Sequence, residues 1–134
     1  MKHQNMQIQQ YNGIPTLLII MSLKIEEALK YFDEAIQRNP EGSKYYAEKA
    51  DTLRAVNRTQ EALKFCNIAL SIDPYNHNYI VIKILTLLQM NRWDESSQLY
   101  EQLQKICPNK QLLEQINRDI LIQMEQFNQT FGQQ

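Results

Sequence analysis

Few side chains in this sequence could take part in acid–base or nucleophilic chemistry. Its 134 residues include two histidines, His3 and His77, and two cysteines, Cys66 and Cys107. A general base must reach a nucleophile by a hydrogen bond and is itself oriented by a further group. His3 lies in a polar leader, and no nucleophile or orienting carboxylate stands at a recognised spacing from His77, which we expect to start a helix or turn. We therefore predict that the chain is not an enzyme and uses no cofactor.

The cysteines and the acidic pairs do not form a metal-binding pattern either. Cys66 and Cys107 lack CxxC spacing and nearby histidines, which excludes the usual zinc and disulfide frameworks. Both are expected to be small buried residues in a reducing compartment, because free cysteine is among the most buried residue types. The pairs Glu26-Glu27 and Asp94-Glu95 fall at predicted helix starts, where carboxylates stabilise the helix dipole. We predict no metal site.

The composition favours a packed all-helical domain. Hydrophobic residues make up 43% of the chain, charged residues 22%, and the net charge is -1. Binding to phosphate backbones requires a basic excess that this balance lacks, so we predict no nucleic-acid partner. With three glycines and four prolines, the sequence has few of the turn residues that a sheet-rich fold or a glycine-rich phosphate loop requires.

An apolar run near the start, Ile14 to Met21, resembles the centre of a signal peptide. The leader before it is rich in glutamine, and no small-residue cleavage site follows. The run is also far shorter than the about 20 residues needed to cross a bilayer. We predict a soluble intracellular protein without membrane insertion. The residues do not distinguish the cytoplasm from a cytoskeletal or ciliary assembly or a mitochondrial complex.

The sequence contains a repeat that predicts where its helices begin and end. Pro40, Pro74 and Pro108 recur at one constant interval, and each ends a segment with helical apolar periodicity. A second helical stretch precedes that segment in each period, with short polar breaks at 57–58 and 91–92 between the two stretches. Each period is therefore predicted to be a helix pair. The second helices are predicted near Glu26 to Arg38, Gln60 to Ile72 and Asp94 to Ile106.

A helix-turn-helix unit of this period, ending in proline, resembles the tetratricopeptide repeat family. The first repeat matches poorly in its first helix, where Pro15 interrupts the helix and Asn12 takes the aromatic place. The resemblance covers about residues 9 to 110 and implies an all-α, right-handed superhelical array of antiparallel helix pairs. The matching positions are Ala28, Phe32, Ala35 and Pro40 in the first repeat, Tyr46, Ala50, Leu53, Ala62, Ala69 and Pro74 in the second, and Ile80, Leu87, Tyr100 and Pro108 in the third.

The expected organisation has four parts. Residues 1–10 form a polar tail rich in Gln and Asn, and residues 11–110 form three repeats, of which the first is irregular. Residues 111–127 form a closing helix, and residues 128–134 a second polar tail. The apolar stripe of the closing helix consists of Leu113, Ile116, Ile120, Met124 and Phe127.

The resemblance also implies a partner-binding groove along the first helices of the pairs. The expected partner is a protein that contributes an apolar or amphipathic helix or an extended segment, in a homo- or hetero-oligomer. Val81, Leu85 and Leu88 form an apolar stripe there, which a partner, a second copy or the chain's own tail could cover. The predicted groove residues are Leu17, Ile20, Lys44, Ala47, Asp51, Arg54, Val81, Leu85 and Leu88.

Three other functions fit the residues less well. A co-chaperone-type receptor clamps carboxylates, and of the residues at the corresponding places only Asn78 is a suitable donor; the others are Gly13, Leu17, Glu48 and Ile82. RNA-binding repeats of the pentatricopeptide type have a slightly longer period and basic grooves. An organelle-fission adaptor requires a terminal membrane span. We therefore predict an adaptor or structural subunit of a larger protein assembly.

Overall fold

The computed structural model describes residues 16–107 and 109–131. These residues form six α-helices and no strand, which confirms the all-helical prediction. The expectations for residues 1–15, Pro108 and residues 132–134 lie outside the described part of the chain. The helices are α1 (Thr16–Arg38), α2 (Ser43–Ala55), α3 (Thr59–Ile72), α4 (His77–Gln89), α5 (Trp93–Ile106) and α6 (Lys110–Phe131).

Two helix pairs, α2–α3 and α4–α5, are built with the same turn. Asn57 and Asn91 have φ angles of 63° and 59°, a left-handed conformation that asparagine tolerates better than most residues. The following N–H groups then reach back into the first helix, where Arg58 N donates to Leu53 O and Arg92 N to Leu87 O, both at 2.9 Å. These bonds satisfy carbonyls that would otherwise be unpaired at the helix end.

Asparagine side chains also start two of the helices. Asn76 Oδ1 accepts from the backbone N–H groups of Asn78 and Tyr79, at 3.0 and 3.3 Å. Asn109 Oδ1 does the same for Gln111 and Leu112 at 3.0 and 3.2 Å, just before α6. Each cap pairs two N–H groups that the helix itself cannot satisfy.

Four signature positions of the second repeat lie in the core. Ala50, Leu53, Ala62, Cys66 and Ala69 of the first complete pair are all 0% exposed. Small side chains at these places allow the helix axes to approach closely. One repeat period later, Ile84, Leu87, Ser96 and Leu103 are also buried, and Tyr100, which corresponds to Cys66, is half-buried. The burial of these positions agrees with the helix-pair register read from the sequence.

The first repeat departs from the pair arrangement. The repeat register places the start of its second helix near Glu26, but α1 runs without a break from Thr16 to Arg38. Leu23-Lys24 occupies the place of the Asn-Arg turn of the two later pairs, one repeat period before Asn57-Arg58. Leucine rarely adopts a left-handed conformation, so the helix continues through this position. The division of residues 11–110 into three repeats stays a prediction.

Helix α6 packs against the second complete pair. Ile116 and Ile120 are buried in a cluster with Ile84, Leu85 and Leu103, and Leu113 and Met124 pack against it. The helix runs to Phe131, so it continues past residue 127, where the sequence suggested that a polar tail begins. The Gln- and Asn-rich residues after 127 do not end the helix, because Gln, Asn and Thr tolerate a helix that is already held by its apolar face.

Candidate protein-binding surfaces

The predicted groove residues of α2 lie on one face of the helix but differ in exposure. Lys44 and Asp51 are exposed, whereas Ala47 and Arg54 are buried. Helix α2 lies beside α4, where Ser43 Oγ and Tyr79 Oη are 3.1 Å apart. Lys44 also lies 3.8 Å from Glu48 on the same face. The accessible part of this surface is therefore charged.

Arg54 is engaged in contacts within the chain. Its Nε and one terminal nitrogen donate to Asp51 Oδ1, at 3.1 and 2.7 Å. With the Gln89 amide in the orientation that satisfies both groups, Gln89 accepts from the other Arg54 nitrogen at 3.0 Å and donates to Arg54 O at 3.2 Å. Arg54 therefore links α2 to the end of α4, a buried structural contact that its residue type alone did not indicate.

The chain's own α6 covers the apolar stripe of α4. Leu85 is 3% exposed and belongs to the same buried cluster as Ile116 and Ile120 of α6. Val81 and Leu88 are half-buried and pack against that cluster. Of the three occupants that the sequence left open for the stripe, the structure places the chain's own C-terminal helix there. Leu85 is inaccessible to a partner in this arrangement.

The two predicted groove residues of the first repeat lie on α1. Leu17 and Ile20 are 66% and 44% exposed. Helix α1 packs on the next pair mainly through Leu29, which is buried in a cluster with Leu53 and Ala62. The N-terminal part of α1 is apolar and extends beyond this contact. The other large apolar side chains exposed there are Leu18, Met21 and Leu23.

A groove between α5 and α6 was not found from the sequence. It has a volume of about 630 Å³, and a second hollow of about 130 Å³ shares Leu88 and Trp93 with it. Tyr100 lines the larger groove, and its hydroxyl donates to Asn117 Oδ1 at 2.6 Å. The spacing of Leu53, Leu87 and Leu121, each one repeat period after the last, is the sequence signal that could have located it.

Three titratable side chains have pKa values shifted by contacts or burial within the fold. Burial raises the pKa of the Cys66 thiol to about 12, and its Sγ lies 3.3 Å from Tyr79 O as a hydrogen-bond donor. Hydrogen bonds from Arg58 and Arg92 lower the pKa of Glu61 and of Glu95.

Across residues 16–107 and 109–131, no three His, Cys, Asp or Glu side chains are grouped so that they could hold a metal ion. In the same residues, no helix is both long and apolar enough to span a membrane.

Solved structures resemble this arrangement of helices. The sequence matches no protein-family profile, and no curated protein is significantly similar to it in sequence. The first TPR domain of Spaghetti (RPAP3), bound to the HSP90 peptide SRMEEVD, superposes with a TM-score of 0.62 at 15% identity, over 76% of this chain and 84% of that one. The chain has the tetratricopeptide repeat fold.

A second structure with the tetratricopeptide fold gives the same result. The TPR2B domain of yeast Sti1, solved in a complex described as pHsp70, superposes with a TM-score of 0.63 at 18% identity, over 78% of this chain and 88% of that one. At these identities the likeness concerns the fold. Within this fold, α2 and α4 are the first helices of two consecutive repeats, and α3 and α5 are the second helices.

Proposed function

We propose that this chain is a non-catalytic protein-interaction module, an adaptor or structural subunit of a larger intracellular assembly. The observation that carries the proposal is the shared surface of α2 and α4. Two first helices lie side by side through the Ser43–Tyr79 contact, and their exposed side chains are charged or polar and held by a closely packed core. A rigid surface of this kind binds a partner segment with little loss of its own conformational freedom.

The accessible residues favour a partner recognised through charge as well as apolar contact. Lys44, Glu48 and Asp51 are at least partly exposed on α2, and Asn78 is exposed at the start of α4. Val81 adds half-buried apolar area on α4. A helix or extended segment with alternating charges and a short apolar stretch complements this surface. Leu85 is buried against α6 and does not contribute to the accessible surface.

Peptide capture in the manner of a carboxylate clamp is less well supported. The Spaghetti (RPAP3) domain is bound to an HSP90 peptide, and the Sti1 domain is in a pHsp70 complex. Within the described residues of this chain, the predicted clamp positions are Leu17, Glu48, Asn78 and Ile82. Only Asn78 can donate to a carboxylate, and Glu48 would repel one. The chain is therefore proposed to bind a different class of segment.

A charge-reversed pair tests the proposal. Lys44→Glu combined with Glu48→Lys keeps the net charge and the i,i+4 pairing of α2 but inverts the charge pattern of its exposed face. The matched control, Lys30→Glu with Glu34→Lys, makes the same inversion on α1, where both residues are exposed. Tagged chains are purified from cells, and the proteins that co-purify are identified and quantified.

We expect the α2 variant to lose at least one partner that the wild-type chain and the α1 control both retain, with unchanged thermal unfolding. Retention of every partner by the α2 variant would show that the surface shared by α2 and α4 is not the binding site. Loss of the same partner by both variants would mean that the exposed charges of α1 and of α2 both contribute to binding.

A further inference from the structure

The groove between α5 and α6 has the position of a missing helix. In each complete pair, a leucine of the first helix packs under the second helix, and these leucines, Leu53 and Leu87, are 0% and 1% exposed. Leu121 stands at the same repeat position of α6 but is 67% exposed, because no described helix follows α6. Helix α6 is thus a first helix whose second helix is absent from the described residues.

Helix α1 has the opposite deficiency. It contains the second-helix positions of a repeat, but no described helix precedes it as its first helix. Ala28 corresponds to the fully buried Ala62, yet Ala28 and Phe32 are only half-buried. The same face continues toward the N-terminus through Met21 and Leu17, at helical spacings of four and seven residues. Both of these residues are exposed.

The two incomplete helices match each other in length. Helix α1 has 23 residues and α6 has 22, whereas the four internal helices have 13 or 14. At about 1.5 Å per residue these lengths correspond to about 35 and 33 Å. Each internal pair joins helices of nearly equal length. Only α1 among the described helices has the length to pair with all of α6.

We propose that α1 of a second copy of this chain docks in the groove between α5 and α6, antiparallel to α6, and completes a helix pair between the two molecules. The contact is heterologous, since each copy offers a different face to each neighbour. Leu121 then packs on Ala28 of the other copy, as Leu53 packs on Ala62 within one chain. The groove floor beneath α1 is formed by Ile84, Leu88, Ile120 and Tyr100.

Charge is consistent with this alignment. In the proposed antiparallel pair, Leu121 of α6 lies opposite Ala28 of α1. One turn further along α6 is Glu125, and one turn earlier on α1 is Lys24, so these two residues also lie opposite each other. Both residues are exposed, and they have opposite charges. A foreign helix could fill the groove, but it would not account for the exposed face of α1. A second copy accounts for both surfaces with one contact.

Mixing two defective variants of the full chain tests the proposal. Leu121→Arg blocks the groove, and Met21→Arg blocks α1, and both replace exposed side chains, so the fold is retained and is checked by circular dichroism. The mass of each protein is followed by sedimentation over increasing concentration. The control is Ile72→Arg, an exposed apolar residue outside both faces.

The wild-type chain and the control should gain mass with concentration, and each blocked variant should stay monomeric. The mixture of the two blocked variants should form a dimer of twice the monomer mass, because each retains one competent face. A monomeric wild-type chain, as expected if residues 1–15 or a foreign helix cover these faces, would overturn the proposal. Self-association of Leu121→Arg alone would also overturn it, since that result requires a contact that does not use the groove.

A cross-link gives a second measurement that does not depend on the arginine variants. Chains with Lys24→Cys and chains with Glu125→Cys should form a mixed disulfide under mild oxidation, since Cys66 and Cys107 are buried. Glu41→Cys replaces Glu125→Cys as the control partner and should cross-link far less. Equal cross-linking of both partners would contradict the proposed alignment.

Discussion

Asn57 and Asn91 lie one repeat period apart and share the same left-handed backbone conformation. Each is followed by an arginine, and Arg58 and Arg92 form two-pronged salt bridges with Glu61 and Glu95, at distances from 2.7 to 3.0 Å. The repeat thus reproduces a turn in atomic detail, including the ion pair that starts the next helix. This turn sets the angle between the two helices of each pair and so the shape of the surface that they present.

Replacing either turn asparagine with alanine should destabilise the fold. Asn57→Ala and Asn91→Ala should each lower the free energy of unfolding by about 1 to 2 kcal/mol, because a Cβ opposes the left-handed conformation and alanine lacks the polar side chain that eases it. Glycine at either place should be tolerated, since it has no Cβ. Urea unfolding measures the effect. The control is Asn67→Ala on the exposed face of α3, where alanine favours helix and no loss is expected.

The two glutamates of these turns should make stability depend on pH in the acidic range. Arg58 and Arg92 lower the pKa of Glu61 and Glu95 in the folded chain below the ordinary value of 4.5. The stabilisation is therefore present above the unfolded pKa and is lost as the pH falls through the lower folded pKa. We expect the Tm to decrease over this range, and to decrease less steeply in the double variant Glu61→Gln with Glu95→Gln.

Two other exposed glutamates provide the control for this pH dependence. Glu41 and Glu101 form no salt bridge within the described chain, so Glu41→Gln with Glu101→Gln should leave the slope of Tm against pH unchanged. The effect should be small and should shrink in high salt, because both ion pairs are exposed to solvent. Parallel curves for all three proteins would show that these ion pairs do not contribute.

The small residues at the closest helix contacts should not accept larger ones. Ala62→Leu and Ala69→Leu should each cost about 1 to 3 kcal/mol, because both alanines are fully buried where adjacent helices meet. Ala55→Leu, at the exposed end of α2, adds the same atoms outside the core and should change stability little. Chemical denaturation compares the three variants. An unchanged midpoint in both core variants would mean that the helix register is misassigned.

Two neighbouring residues of α6 should differ sharply in their effect on the monomer. Ile120 is 8% exposed beneath the α4–α5 pair, and Ile120→Ala should cost about 2 to 5 kcal/mol. Leu121→Ala, one residue later on the exposed face, should stay within about 0.5 kcal/mol. Both are measured at a concentration at which the chain is monomeric. Similar losses for the two variants would place α6 in a different rotation about its axis.

The Cys66 thiol should be unreactive in the folded chain. Burial raises its pKa to about 12, so almost none of it is thiolate at pH 8, and the side chain has no exposed surface. In a Cys107→Ala variant, a thiol reagent should therefore modify Cys66 slowly in buffer and rapidly in denaturing urea. Rapid modification in buffer would indicate that α3 and α4 separate locally.

The sequence by itself determined the helix pairs and their register. Proline at a constant period and the Asn-Arg breaks act through local backbone preferences, which do not depend on what else packs nearby. The burial of Ala50, Ala62 and Ala69 agrees with this register. Local sequence also explains the departure in α1, because Leu23 stands at the position of a turn asparagine.

Tertiary structure decided which surfaces are accessible. The sequence identified Val81, Leu85 and Leu88 as an apolar stripe, but only the placement of α6 shows that Leu85 is covered by the chain itself. Arg54 has the residue type of a surface donor, and its burial follows from the approach of α4 and Gln89. Helix formation is governed by neighbours three or four residues away, whereas exposure depends on segments that are distant in sequence and meet only when the helix pairs stack.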